Sequence, residues 1–567
     1  MSAVLTAAPP DRVPARQNWI LSPVQDTLFV VAAPALVLAA AVALFAALGA
    51  ADATAYIVLL HVVLTVAHHL PTFLRVYGDV DLFRRFKWTF ILAPVVPLAF
   101  ATAVLGYLNA HDYPVQNVLF FWILLALWDP WHFLMQHYGF TRIYDRHNAA
   151  PKKLAARMAL VLCAAWCGFI MLASGEWLAG ILEDLYTTAH LPAALLLPAV
   201  AVRALTAAML GAATLATLAY GAYLVWCRRR GYFVSIVKLA LLVTTFGVMF
   251  VAYTPNAWIL EWAPGWTFAV GFAVIGIVHM TQYLAIVWRY NRSLASRPEA
   301  ARAGIFRKLH GRGGWLVGAG YVALCLAYGG VLTRQHDNRW LMSVLLALGF
   351  TSTLLHYYFD GFIWKLRHSQ NREHLDIRHD ANGARPADGA AATSWWNARQ
   401  RTPLVMLLRQ ALYFGVPLGI LSAGALLVLN GPGANYVAYM LRGGALYQQG
   451  RTAEALDEAN GALASMQWQL PLARQLVELE PTAAREASLA FLVYNRSRYA
   501  EVVIPALTGA DPGAAGAAAH RGNVTEAVAL LEHALARGGP IGDFGGKALA
   551  RGDAYATLVS WRTELGQ

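Results

Sequence analysis

Apolar runs of about 20 residues recur through the first 430 positions of this chain, each long enough to cross the hydrocarbon core of a bilayer. No other feature constrains the fold as strongly. Backbone N–H and C=O groups find no water inside a bilayer, so a spanning segment must satisfy them internally, and runs of this length do so as helices. Eleven spans are expected, over 27–49, 53–74, 87–107, 115–138, 155–174, 201–226, 234–253, 265–289, 313–331, 340–364 and 408–430. Arg203, at the edge of one of them, is placed to snorkel. The chain is 58% apolar and only 13% charged, which excludes an ordinary soluble domain. Residues 1–26 lack the short basic-then-apolar layout of a cleaved signal peptide, so the first span is expected to stay as an anchor.

Loop charge sets the expected orientation. Arg75, Arg84, Arg85 and Lys87 follow the second span, Arg142, Arg146, Lys152, Lys153 and Arg157 the fourth, and Arg228, Arg229 and Arg230 the sixth. Basic stretches 289–312 and 365–401 follow the eighth and tenth. The alternate loops are short or acidic, as with Glu176, Glu183 and Asp184, while Arg334 and Arg339 are a mild exception. The positive-inside rule then places the N-terminus in the cytoplasm of a cell whose inner (plasma) membrane holds the protein. An odd number of spans puts the C-terminal region outside. The net charge of +12 is explained by topology, with some attraction to anionic membrane lipid and no need for a nucleic-acid partner.

The expected organisation is all-α: a cytoplasmic segment 1–26, a polytopic membrane helix bundle 27–364, a basic cytoplasmic linker 365–402, a last span 403–430 and a helical-repeat domain 431–567 on the outer side. The linker's His368, His374 and His379 read as solvated loop residues. In the tail, four similar stretches begin at Tyr447, Tyr494, Ala519 and Leu549. Each looks like the turn between two helices of a tetratricopeptide-type repeat. That likeness implies stacked helix pairs with a surface for a protein partner or a second copy of the chain. Cys163, Cys167, Cys227 and Cys325 lie in or beside spans and read as small packing residues.

Seven histidines fall inside four of the spans: His61, His68 and His69, then His132 and His137, then His279, then His356. An ionisable side chain in hydrocarbon is costly, and neutral imidazole is the commonest metal ligand. Counting back from the first basic residue after each span, six of them lie five to ten residues inside the membrane. At ~1.5 Å per residue that is a layer roughly 7–15 Å below the cytoplasmic surface. His61 is deeper, but seven residues before His68 it keeps nearly the same face. Polar neighbours lie about a turn away: Thr72 after His68, Asp129 and Gln136 around His132, Gln282 and Tyr283 after His279, and Asp360 after His356. They read as partners for the second imidazole nitrogen, and Asp129 and Asp360 equally as direct ligands. Imidazole with carboxylate suits non-haem iron. Trp128, Trp131, Tyr138, Tyr357, Tyr358 and Trp364 read as an interfacial aromatic belt.

His68-His69, the stretch from Trp131 through His132 and His137 to Tyr138, His279 and His356 together resemble the membrane-embedded histidine-cluster iron enzymes. These are the fatty-acid desaturases and hydroxylases and the bacterial carotenoid-cleaving dioxygenases. The resemblance implies one or two iron ions, oxygen chemistry and a lipid-like substrate. Two other classes stay open: a haem protein with histidines as axial ligands, and a transporter or envelope-assembly protein whose histidines conduct protons or metal ions. No P-loop, Ser-His-Asp arrangement or CxxC motif is readable.

Overall fold

Helices account for nearly all of the described chain, and two prolines decide where its first spans bend. This computed structural model describes residues 17–110, 120–146, 148–189, 196–254, 256–295, 315–334, 336–363, 403–430, 436–538, 541–542 and 548–567. The expected linker 365–402 with its three histidines lies outside them, as do residues 1–16, Trp364, the first residues of the expected span 115–138, and most of the basic loop after the eighth span. Among the described residues, the one non-helical pairing is a two-residue antiparallel ladder of Ile541 with Leu549 and Gly542 with Ala548.

Among the described residues, eight helices are long and apolar enough to cross a membrane, and nine if the pair Pro23–Val31 and Ala33–Leu48, bent by 53°, counts as one span. Pro34 sits at that bend, directly after a π-turn over Thr27–Val31, and both features interrupt the regular hydrogen-bond ladder. Helices Phe120–Tyr144 and Pro403–Asn430 occupy the other two expected positions and fall outside those eight.

The chain divides into two units: residues 1–174 with 208–425, and residues 175–207 with 426–567. The first exposes large apolar side chains and buries polar ones among its apolar core. Val243 and Leu215 are 73% and 68% exposed, whereas His356, Gln282 and Lys238 are 0% exposed. A bilayer is the solvent that such a surface suits. Helix Ala50–Ala67 packs against Ala33–Leu48, Phe268–Ala295 and Trp315–Thr333, and helix Arg339–Ile363 against His69–Gly78 and Val95–Ala110. A Cβ at Gly329 would overlap the Val63 carbonyl, so glycine is what lets these two backbones touch. Buried charges in this unit are paired: Lys238 Nζ lies 2.8 Å from Asp145, and Asp26 accepts from the Ile20 and Leu21 amides and the Tyr144 hydroxyl. The four cysteines are buried and free.

The second unit is built the ordinary way. Helices Tyr436–Gln448, Thr452–Leu479, Ala483–Arg498, Gly513–Arg537 and Arg551–Glu564 pack each on the next, around an apolar core that includes Leu489, Val493, Leu531, Leu558 and Trp561. Helix Glu176–Ala189, expected within the bundle, belongs here: Leu182 packs on Leu472 and Leu476, and buried Arg485 bonds both Glu176 and Glu183. The stretches at Tyr447 and Leu549 do precede helix starts, the first through Gly450 at φ +74°. Those at Tyr494 and Ala519 correct the reading, because the chain stays helical through both. Neither has a residue in the left-handed region to stop the helix.

Candidate metal centre

Pro71 explains how two adjacent histidines come to serve one site. It lacks an N–H and its ring clashes with the carbonyl four residues back, which is that of Ala67, where helix Ala50–Ala67 stops. His68 forms the joint and a new helix starts at His69. In an unbroken helix, neighbours point about 100° apart. Here both rings reach His356, with centroids at 4.5 Å for His68 and 4.7 Å for His69. His132, just past Pro130 in helix Phe120–Tyr144, lies 5.2 Å from His356 and 5.0 Å from His279. Five of the seven histidines therefore form one contiguous group, drawn from all four expected helices.

Within that group, one potential ligand atom from each of His68, His132 and His356 lies within 4.8 Å of the other two. The Nε2 atoms of His68 and His356 are 3.1 Å apart. Two nitrogens sharing a metal at about 2.1 Å are about 3.0–3.4 Å apart at angles between octahedral and tetrahedral. Asp360 Oδ2 is 3.7 Å from His356 Nε2 and 3.9 Å from His132 Nε2.

The surrounding hydrogen bonds decide which nitrogens are free. Asp360, as a carboxylate, only accepts, so the Tyr283 hydroxyl donates to its Oδ1 at 3.0 Å. Tyr283 must then accept from Thr72 Oγ1 at 2.5 Å, and Thr72 from His356 Nδ1 at 3.0 Å. That assigns the His356 proton to Nδ1 and leaves a lone pair on Nε2. His68 Nδ1 faces the Leu64 carbonyl at 3.2 Å, which places its proton there as well. Two lone pairs thus face each other at 3.1 Å in a buried setting, an arrangement that repels unless a cation lies between them. His69 is held likewise, its Nδ1 2.9 Å from Ser352 Oγ, which in turn meets the Tyr328 hydroxyl. Among the described residues, His132 Nε2 and both ring nitrogens of His279 are buried without a hydrogen-bond partner.

Several expected partners serve other atoms. Thr72 holds His356 instead of His68, and Tyr283 bridges Thr72 to Asp360 instead of serving His279. Gln136 bonds Gln282 and the His279 carbonyl, while Gln282 reaches the Val30 carbonyl. Asp129 is engaged by the Tyr357 hydroxyl. His137 bonds the Phe133 carbonyl and packs on Phe133 and Phe140, outside the five-ring group. His61 meets Phe272. Tyr358 is buried against Phe359, Phe362, Tyr413 and Phe414 and is no belt residue, whereas Trp128 and Trp131 are exposed.

A cavity of ≈ 50 Å³ adjoins the group. Its lining includes His61, His68, His69, His132, His279 and Asp129, with Thr65 and Tyr357, and apolar residues such as Met249, Phe272, Ile275 and Met280. His356 and Asp360 are not among its walls, so the cavity meets the ligand set from one side only.

Sequence reasoning missed Ser352, though it lies one turn before His356 on the same face. It also missed a relay in the second unit, where His520 bonds Ser497 Oγ at 2.9 Å and Glu564 at 2.8 Å. Despite its serine–histidine–carboxylate composition, this relay lacks a nucleophile's access: Ser497 is 1% exposed on a helix, and Asn523 donates to the same oxygen. The chain matches no family model, no curated protein and no solved structure.

Proposed function

We propose that the chain is an integral membrane, metal-dependent oxidoreductase with a non-haem iron centre held by His68, His132 and His356 with Asp360, acting on a lipid-like substrate near the cytoplasmic face. The observation that carries this reading is the pair of Nε2 lone pairs, 3.1 Å apart, with the His356 tautomer fixed by the Asp360–Tyr283–Thr72 chain and the His68 tautomer by the Leu64 carbonyl. Three imidazoles and a carboxylate leave coordination positions open, and iron bound there would supply oxygen chemistry that side chains lack. The chain's own residues have separate tasks. Thr72 and Tyr283 orient His356 and Asp360, Ser352 orients His69, and Phe272, Met249, Ile275 and Met280 keep the approach dry. The likeness to the desaturase, hydroxylase and carotenoid-dioxygenase type of site supports iron among metals. The ≈ 50 Å³ cavity is a third of the ~150 Å³ known to admit benzene, which disfavours a haem macrocycle.

The same reading includes eleven spans, a cytoplasmic N-terminus and a second unit that binds a protein partner or another copy on the outer side. Its sequentially packed helices are the support for a tetratricopeptide-like scaffold.

Elemental analysis and an absorption spectrum of purified protein test the centre, repeated for His132→Ala, His279→Ala and His356→Ala. Iron near one or two per chain is expected, lost in His132→Ala and His356→Ala. Well-folded wild type with little metal overturns the enzyme reading, and a Soret band replaces it with haem. Metal unchanged in every variant shows that other residues hold it.

A further inference from the structure

Resting on the metal reading above, we propose that His61 is a substrate-positioning residue at the far end of the pocket, where it hydrogen-bonds the hydroxyl or carbonyl oxygen of a slim, neutral, otherwise apolar substrate. His61 lines the same cavity as His68, His132 and His279, two turns deeper along its helix. Among the described residues no group hydrogen-bonds its ring, whose recorded neighbour is the edge-on Phe272 ring at 5.7 Å. His61 is half-buried, and a ring that lines the cavity without a hydrogen-bond partner is free to take one from a ligand. The chain also makes room for it: a Cβ at Gly276 would overlap His61 Nε2 and Cδ2.

The rest of the lining defines the substrate class. Its one charged group is Asp129, already engaged by Tyr357, and it contains no lysine or arginine, so an anionic headgroup finds no counter-charge. The ≈ 50 Å³ volume, a third of the ~150 Å³ that admits benzene, suits a narrow hydrocarbon segment better than a ring. A molecule with one end against the ligand histidines and a neutral oxygen at His61 satisfies both limits.

Azide binding to the purified, metal-loaded protein tests this, followed by the infrared stretch of bound azide. The probes are 1-octanol and n-octane at equal mole fraction in the detergent micelle. In wild type, octanol should compete with azide about three- to tenfold better than octane, the effect of one hydrogen bond. In His61→Phe the two should compete within about twofold at unchanged metal content, and His61→Leu serves if that variant does not purify as a monodisperse protein. His61→Gln should keep the discrimination. Gly276→Ala should lose it, because the new methyl displaces His61. Loss of metal in the His61 variants from an otherwise loaded protein makes His61 a ligand and overturns the proposal. So does undiminished discrimination in His61→Phe, or equal competition by both probes in wild type. Wild type without metal overturns the underlying reading, and this proposal with it.

Discussion

Each unit of the protein has imidazole in a polar cluster, five rings in the first and the single ring of His520 in the second, and the two use it in opposite ways. In the second unit, both ring nitrogens of His520 are bonded, to Ser497 and Glu564, which fastens helix Arg551–Glu564 to its neighbours. Among the described residues, His533 is bonded through Nδ1 alone, to Glu486, which Arg537 also meets. In the first unit, the Nδ1 atoms of His68, His69 and His356 are bonded, while among the described residues no carbonyl, hydroxyl or amide bonds their Nε2 atoms. A histidine with both nitrogens bonded is a fastener. A histidine with one nitrogen bonded and the other aimed at its fellows is a ligand in waiting. The solvent sharpens the contrast, since in water an unpaired nitrogen finds a partner, whereas in hydrocarbon it has none.

The strongest way to break the comparison is to make the same substitution in both clusters. His356→Ala should lower metal affinity by about a hundredfold or more, because it removes a ligand and strands Thr72, while His520→Ala should leave metal content untouched. His520→Ala should instead destabilise the second unit by about 1 kcal/mol, the net worth of its hydrogen bonds, read by hydrogen exchange over residues 513–564. Metal loss in both would mean that the second cluster also binds metal, and loss in neither would end the distinction.

Next in size is the shell behind the ligands. Thr72→Val keeps the volume but frees the His356 tautomer, so metal affinity should fall about 10–100-fold. Asp129→Asn should leave affinity within about twofold, because Tyr357 and not a ligand histidine holds that carboxylate. Titration with a competing chelator measures both. A larger effect for Asp129→Asn than for Thr72→Val would reverse their assigned roles.

These two residues also show what the sequence could and could not disclose. The apolar runs and the helix-borne histidines were legible because a bilayer imposes a length and a penalty that composition records directly. Counting depth from basic residues brought His68, His69, His132, His137, His279 and His356 to one level, and the structure joins the rings of all but His137. Partner assignment was not legible. Spacing of three or four residues finds neighbours on the same helix, yet Thr72, Tyr283 and Tyr357 each act across to another helix. That choice depends on helix rotation and on the break at Pro71. The grouping of helix Glu176–Ala189 with the C-terminal helices was hidden for a similar reason, since Arg485 lies 309 residues from Glu176.

Arg485 gives a smaller effect, confined to the second unit. It is 5% exposed and bonds Glu176, Glu183 and the Glu480 carbonyl. Arg485→Met removes the cation and leaves two carboxylates facing each other. Both are a third or more exposed and rehydrate, so the cost should be about 1–3 kcal/mol rather than that of a fully buried pair. Hydrogen exchange should quicken in Glu176–Ala189 and Ala483–Arg498, with metal content unchanged. Metal loss here would mean that the two units do not keep their roles apart.

The smallest effect concerns Glu480, which caps the C-terminal end of helix Thr452–Leu479 beside Gly175. Burial raises its carboxyl above the usual range and the Glu176 carboxylate adds to this, while Arg485 and Arg537 oppose it. The sign follows from linkage. A carboxyl whose folded pKa is raised binds its proton more tightly in the folded state. Its contribution is fully present below the unfolded value and is lost as pH rises through the folded one. At pH 7 Glu480 therefore weakens the second unit, and Glu480→Gln should raise its melting temperature by about 1–3 °C. Below pH ~4 the gain should vanish, because the wild-type carboxyl is then protonated as well. The competing effect is the N-terminus of helix Glu176–Ala189, which favours a nearby anion. A variant that melts lower than wild type at pH 7 would show that this attraction outweighs the crowding by Glu176, and that the second unit makes use of the Glu480 charge.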